Sequence, residues 1–139
     1  MAEVVYTRLA KKIIKDAQTG KFLMKGAFVS LPWVQAPLAF VVAVYWHGMA
    51  GETFRQSLAL TDEAGSILDK TPAMECRLDT HGAAIGPGIF YAVFPRPRRY
   101  HICIYQNDAC VERISFDVIE VEHISCKITS YYGPVYLPM

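Results

Sequence analysis

Phe40-Val41-Val42-Ala43-Val44-Tyr45-Trp46 lies within residues 26–51, a segment without a single Asp, Glu, Lys or Arg. Two readings compete for it. An uncharged run of this length is long enough to cross a bilayer as a helix. Pro32 and Pro37 break such a helix in its first half, because proline removes a backbone donor and clashes with the preceding turn. Gln35 and His47 add polar groups, and residues 40–46 are β-branched and aromatic. That texture fits a buried strand. We therefore expect two strands around a proline loop, and no membrane span.

The flanking segments support the same choice. Val5, Thr7, Leu9, Lys11 and Ile13 share one face of a strand, although Val5, Leu9, Ile13 and Ala17 also fit a helical spacing. The turn signal Ala17-Gln18-Thr19-Gly20-Lys21 and the strand-like Phe22 to Val29 favour a hairpin. Ser30 to Leu38 reads as a loop. Thr53 to Leu60 alternates, with Phe54, Gln56 and Leu58 on one side. Ile67 to Leu78 reads as one or two short strands around Pro72. Thr80 to Gly88 is small and glycine-rich, and reads as a loop. Ile89 to Phe94 is a strand candidate, and Pro95 to Arg99 bends the chain. Tyr100 to Gln106 and Val111 to Val121 make the clearest hairpin, turning at Asn107-Asp108-Ala109. Turn signals recur about every ten residues, and no amphipathic helix separates the strands, so the class is an all-β sandwich or barrel. We expect an immunoglobulin-like antiparallel β-sandwich over residues 1–121, with an extended C-terminal tail over residues 122–139.

Bulk properties narrow the class of function. At 53% hydrophobic residues the chain is too apolar for disorder, and the surplus hints at surface covered by a partner. A formal net charge of +1 gives no general field for nucleic acid, so no nucleic-acid partner is expected. Residues 1–8 show no apolar signal segment, and Cys76, Cys103, Cys110 and Cys126 have no disulfide-framework or CxxC spacing. Both point to reduced thiols and a cytoplasmic protein.

Two stretches carry a family likeness. The first is Ala10-Lys11-Lys12-Ile13-Ile14-Lys15, then Gly20-Lys21-Phe22 and Lys25-Gly26-Ala27-Phe28. The second is Pro97-Arg98-Arg99-Tyr100-His101-Ile102-Cys103-Ile104-Tyr105, followed by Phe116-Asp117-Val118. Over residues 4–121 the chain resembles an uncharacterised bacterial immunoglobulin-like β-sandwich domain family of unknown function. Arg98 stands where that family has a glycine before the tyrosine. The resemblance implies a fold and no activity.

Several chemistries that these residue types could support have plainer explanations. The glycine-rich 80–88 segment lacks the Gly-Lys-Ser/Thr of a phosphate loop, and Pro87 removes a donor. His101, Cys103 and Cys110 would share a face if a two-residue turn set Cys110 opposite Tyr105. The alternative register, with a three-residue loop or a bulge, buries Tyr100, Ile102 and Ile104 with Ile114, Phe116 and Val118. Burial worth about 1.5–3 kcal/mol per large side chain favours that alternative, which turns Cys103 outward and Cys110 inward. No local motif nominates a Cys–His nucleophile pair, and Glu112, Asp117, Glu120 and Glu122 suit solvated strand ends better than a glycosidase pair. Arg96, Arg98 and Arg99 form a short basic loop, a possible contact for an anion or a partner. Tyr131, Tyr132, Tyr136 and Leu137 give the tail anchors for a partner.

These readings converge on a non-enzymatic protein–protein interaction module, a structural or accessory subunit of a homo-oligomer or larger assembly. No catalytic residue, metal or cofactor is expected. The alternative is a small-ligand or carbohydrate-binding sandwich with Trp33, Trp46 and the tyrosines as stacking platforms. A third class is a metal-dependent or hydrolytic enzyme.

Overall fold

The computed structural model describes residues 1–121. The tail with Tyr131, Tyr132, Tyr136 and Leu137 lies outside the described residues. Among those described the chain forms ten strands and no helix: β1 (Glu3–Lys15), β2 (Phe22–Ala27), β3 (Ser30–Pro32), β4 (Leu38–His47), β5 (Thr53–Thr61), β6 (Ile67–Lys70), β7 (Met74–Arg77), β8 (Ala83–Ala92), β9 (Arg99–Gln106) and β10 (Ala109–Ile119). They build two packed sheets, one ordered β2-β1-β4-β8 and one ordered β3-β10-β9-β5-β6, with β7 pairing β5 separately. Every pairing is antiparallel except β3 beside β10, which is parallel. The all-β sandwich expected from the sequence is the fold.

The charge-poor segment is sheet interior. β4 is paired by β1 on one side and β8 on the other. Phe40, Val42, Val44 and Trp46 point into the core, and Val41 and Ala43 on the opposite face are also buried. A strand closed on both faces needs apolar residues at consecutive positions, which explains the unbroken run. Among the described residues no helix is long and apolar enough to cross a membrane. The core joins Phe40, Phe90, Phe94, Tyr100 and Phe116, with ring centroids such as Phe94–Tyr100 at 4.7 Å and Phe40–Phe90 at 5.5 Å. Such edge-to-face and tilted pairs add about 0.5–1.5 kcal/mol each beyond area burial. The Tyr100 hydroxyl donates to the Arg96 carbonyl at 2.7 Å, tying the β8–β9 corner to the core.

Three expectations need correction. Ser30 to Leu38 is not wholly loop, because Ser30–Pro32 forms β3 against Asp117–Ile119. Thr80 to Gly88 is not a loop throughout: β8 runs through Gly86-Pro87-Gly88, paired to Val44, Ala43 and Val42. The glycines answer a packing demand. A Cβ on Gly86 would stand 1.9 Å from Gln56 Oε1, and one on Gly88 would stand 2.5 Å from Leu58 Cδ1. The missing side chains admit Gln56, fully buried, whose amide donates to the Gly86 carbonyl at 3.1 Å and accepts from Trp46 Nε1 at 2.7 Å. Pro87 is tolerated because β8 is an edge strand.

The third correction concerns the β9–β10 hairpin, which uses both registers in turn. Asn107 and Asp108 have positive φ (50° and 71°), the backbone of a two-residue turn whose twist suits paired strands. Cys110 consequently sits opposite Tyr105. A bulge between Cys110 and Glu112 then shifts the parity, so Ile114 meets Ile102 and Phe116 meets Tyr100. Core burial is kept as expected, and Cys103 faces outward. Cys110 is exposed rather than inward.

The β1–β2 hairpin does not extend straight away from the body. β4 pairs β1 only as far as Ala10, while β2 pairs it from Ala10 to Lys15. Met24 Sδ lies 4.0 Å from Tyr45 Oη, and Phe22 lines a groove with Tyr6 and Tyr45. The end of the hairpin therefore folds back over the outer face of the four-stranded sheet. At the sheet's opposite edge, the Tyr91 N–H donates to Asp69 Oδ2 of β6 at 2.9 Å.

Candidate functional site

Arg96 and Arg98 lie in the β8–β9 loop and Arg99 opens β9, each with its own surroundings. Arg99 Nε binds Asp117 Oδ1 at 3.0 Å, and this carboxylate raises the guanidinium's pKa further above its ordinary value. Arg98 is half-buried, its Nε lacks a hydrogen-bond partner among the described residues, and its carbonyl accepts from Val118 N–H at 2.9 Å. Arg96 is exposed, and its main chain receives the Tyr100 hydroxyl. The loop is held by its backbone, and the adjoining Arg99 charge is already neutralised by Asp117.

The outer face of β9–β10 carries the candidate metal ligands. Cys103 and Cys110 are neighbours there. Burial first, and then the adjacent Cys110, push the Cys103 thiol pKa above its ordinary 9.0. His101 pairs across to Ser115, with Nδ1 and the hydroxyl 2.9 Å apart. Burial first, and Arg113 next, lower its pKa below 6.5. Among the described residues no three of His, Cys, Asp and Glu gather closely enough to hold a metal ion. Cys103, its thiol pKa raised, is also poorly disposed to act as a thiolate nucleophile at neutral pH.

The tryptophans do not offer stacking platforms. Trp46 is 1% exposed and bonded to Gln56, while Trp33 is half-buried with Nε1 donating to the Phe94 carbonyl at 3.0 Å. The aromatic surface lies elsewhere. Tyr6 and Tyr45 stack at 4.1 Å and 20°, with Arg8 over the Tyr6 ring, in a groove of about 670 Å³. Phe22, Lys21, His47 and Asp79 complete its walls. Burial first, and Tyr6 second, raise the Tyr45 pKa above 10.0, so the Tyr45 hydroxyl stays a neutral donor.

A second surface was not identified from the sequence. Along β8 and just past its end, Ile89, Tyr91 and Val93 alternate at 65%, 59% and 53% exposure. The period of two was readable at 89, 91 and 93. That this face lacks a covering layer there depends on where the β1–β2 hairpin ends.

No family model matches the chain, and neither does any curated protein. Solved structures give partial likenesses. A glycosyl hydrolase family 2 member from Bacteroides cellulosilyticus is 8% identical at TM-score 0.49, covering 61% of this chain and 13% of its own. An alkylpurine DNA glycosylase from Pseudomonas fluorescens, bound to DNA containing an abasic site analog, is 11% identical at TM-score 0.42, covering 66% and 27%. A β-glucosidase from Listeria innocua in complex with isofagomine is 9% identical at TM-score 0.44, covering 88% and 17%. The chain thus spans about a quarter or less of these proteins, and the activities named are theirs.

Proposed function

We propose that the protein is a non-enzymatic interaction module that self-associates through the outer face of β8. The observation that carries this reading is the stripe of Ile89, Tyr91 and Val93, half or more exposed and in a row, beside the buried Val41 that pairs with Ile89. Exposed apolar side chains gathered in a row, rather than scattered, mark a contact surface. A second copy suits it, because a stripe along one strand can meet its own image across a two-fold axis. Face-to-face packing is favoured over strand addition, since Asp69 already takes the Tyr91 N–H at that edge. A stable dimer buries about 800 Å² per partner, so the stripe is the apolar centre of a wider contact. The arginine loop and the aromatic tail remain candidate elements of its rim. An immunoglobulin-like strand arrangement is part of the same proposal, supported by the tyrosine corner at Tyr100. A cytoplasmic location remains the expectation from the thiols.

The test is mass in solution. Light scattering should give a multiple of 15.6 kDa for the full chain and a single copy for Ile89→Asp/Val93→Asp, with unchanged circular dichroism. A monomeric parent protein rules the reading out. Deleting residues 122–139 asks separately whether the tail contributes.

The Tyr6–Tyr45 groove favours a second reading, a small-ligand or carbohydrate binder in which those rings, not the tryptophans, form the platform. Calorimetric titration with a saccharide panel, repeated on Tyr6→Ala, tests it.

A further inference from the structure

We propose that the folded-back β1–β2 hairpin docks the protein onto an anionic lipid surface, a contact separate from the β8 stripe. Charge is unevenly distributed along the chain. Between Arg8 and Lys25 stand six cations (Arg8, Lys11, Lys12, Lys15, Lys21, Lys25) and one anion, Asp16, a net of +5. The whole chain carries +1, so the remainder carries −4. Among the described residues none of these cations lies within 4.0 Å of a carboxylate; the ion pairs found are the N-terminus with Glu52 and Arg99 with Asp117.

The register sorts the hairpin into two faces. Lys12 stands opposite Lys25, and Ile14 stands opposite Leu23. Two positions separate these pairs on each strand, so all four share one face. The alternate positions include Ile13 paired with Met24, both half-buried and turned toward the sheet, as the Met24–Tyr45 contact shows. Lys12, Ile14 and Leu23 are exposed on the far side. Both pairs work against folding alone. Like charges directly opposite on neighbouring strands are destabilising. Ile14 and Leu23, 38% and 55% exposed, leave apolar area in water. A surface that offers negative charge and apolar depth together resolves both.

The aliphatic pair decides the partner. Nucleic-acid phosphates would neutralise the lysines, but Ile14 and Leu23 are neither aromatic stacking platforms nor hydrogen-bonding partners for base edges. A lipid interface places headgroup phosphates against Lys12 and Lys25 and receives Ile14 and Leu23 at the acyl boundary.

Co-sedimentation of the full chain with vesicles tests this. It should bind equimolar phosphatidylglycerol and phosphatidylcholine at 0.1 M salt, bind phosphatidylcholine alone far more weakly, and be released at 0.5 M salt. Each lysine near an anionic leaflet contributes about fivefold, so Lys12→Ser/Lys25→Ser should weaken partitioning about 25-fold. Ile14→Ser/Leu23→Ser should weaken it about tenfold or more at unchanged charge, with circular dichroism confirming that both variants fold. The proposal is overturned by absence of binding to the anionic vesicles, or by equal binding to neutral ones. It is also overturned if oligonucleotides bind by fluorescence anisotropy as tightly as vesicles, with the Ile14/Leu23 variant unaffected.

Discussion

Gly86→Ala puts the packing between the two sheets to a direct test. Gly86 is not at positive φ, so the backbone accepts alanine, and any cost comes from the added methyl group. That methyl would stand 1.9 Å from Gln56 Oε1, 2.6 Å from its Cδ and 2.8 Å from its Nε2. Gln56 is 1% exposed and held by its bonds to Trp46 and Gly86, so moving its amide away from the methyl gives those bonds up. A buried donor or acceptor left unpaired costs about 1–3 kcal/mol, and overpacking adds about 1–3 kcal/mol. We expect a loss of about 4 kcal/mol. For a chain of this size that corresponds to a fall of about 15 °C in Tm. Gln56→Ala removes the obstacle but orphans Trp46 Nε1 and leaves a cavity, for a loss of about 3 kcal/mol. The double variant should then resemble Gln56→Ala alone, because its new methyl enters the vacated space. Urea unfolding followed by Trp46 fluorescence and far-ultraviolet circular dichroism measures all three. Additivity in the double variant, or a Gly86→Ala cost below about 1 kcal/mol, would refute the account of β8.

Three further outcomes follow from the described contacts. Tyr100→Phe loses the 2.7 Å bond to the Arg96 carbonyl and should cost about 1–2 kcal/mol, read from the urea midpoint at unchanged slope. His101 has its pKa lowered by burial and by Arg113 and Arg99, against an opposing pull from Glu63. Its folded form therefore binds a proton less readily than the unfolded chain, so its contribution is complete above 6.5 and declines as pH falls through that value; His101→Gln should flatten the Tm–pH curve there. Iodoacetamide at pH 8 should modify exposed Cys110 before Cys103, and Cys76 only after unfolding, as peptide mapping would show.

How much was legible varied with the range of the interaction involved. β4 could be read because both of its faces are buried and the residues themselves record that. The β1–β2 hairpin could be read from Gly20 and the flanking alternation. Gly86-Pro87-Gly88 misled because local rules assign such a trio to a loop, whereas its composition was set by Gln56 and Leu58 on the other sheet. The Cys110 orientation also escaped, since turn chemistry and core burial demanded opposite parities. A bulge satisfied both demands, and neither alone predicts where it falls. The candidate surfaces were least legible. Lys12 opposite Lys25 is a fact of pairing, and the bareness of Ile89, Tyr91 and Val93 depends on a hairpin more than sixty positions earlier in the chain.

Asp69 has one more consequence. Its carboxylate occupies an amide on the rim of a strand whose side chains are otherwise inviting to another strand. An unguarded rim of that kind seeds end-to-end growth of sheets from one molecule to the next. With that carboxylate there, the exposed apolar flank beside it is less able to template the growth of fibres. Removing that single carboxylate would be expected to show itself as slow turbidity in a concentrated sample long before any loss of fold.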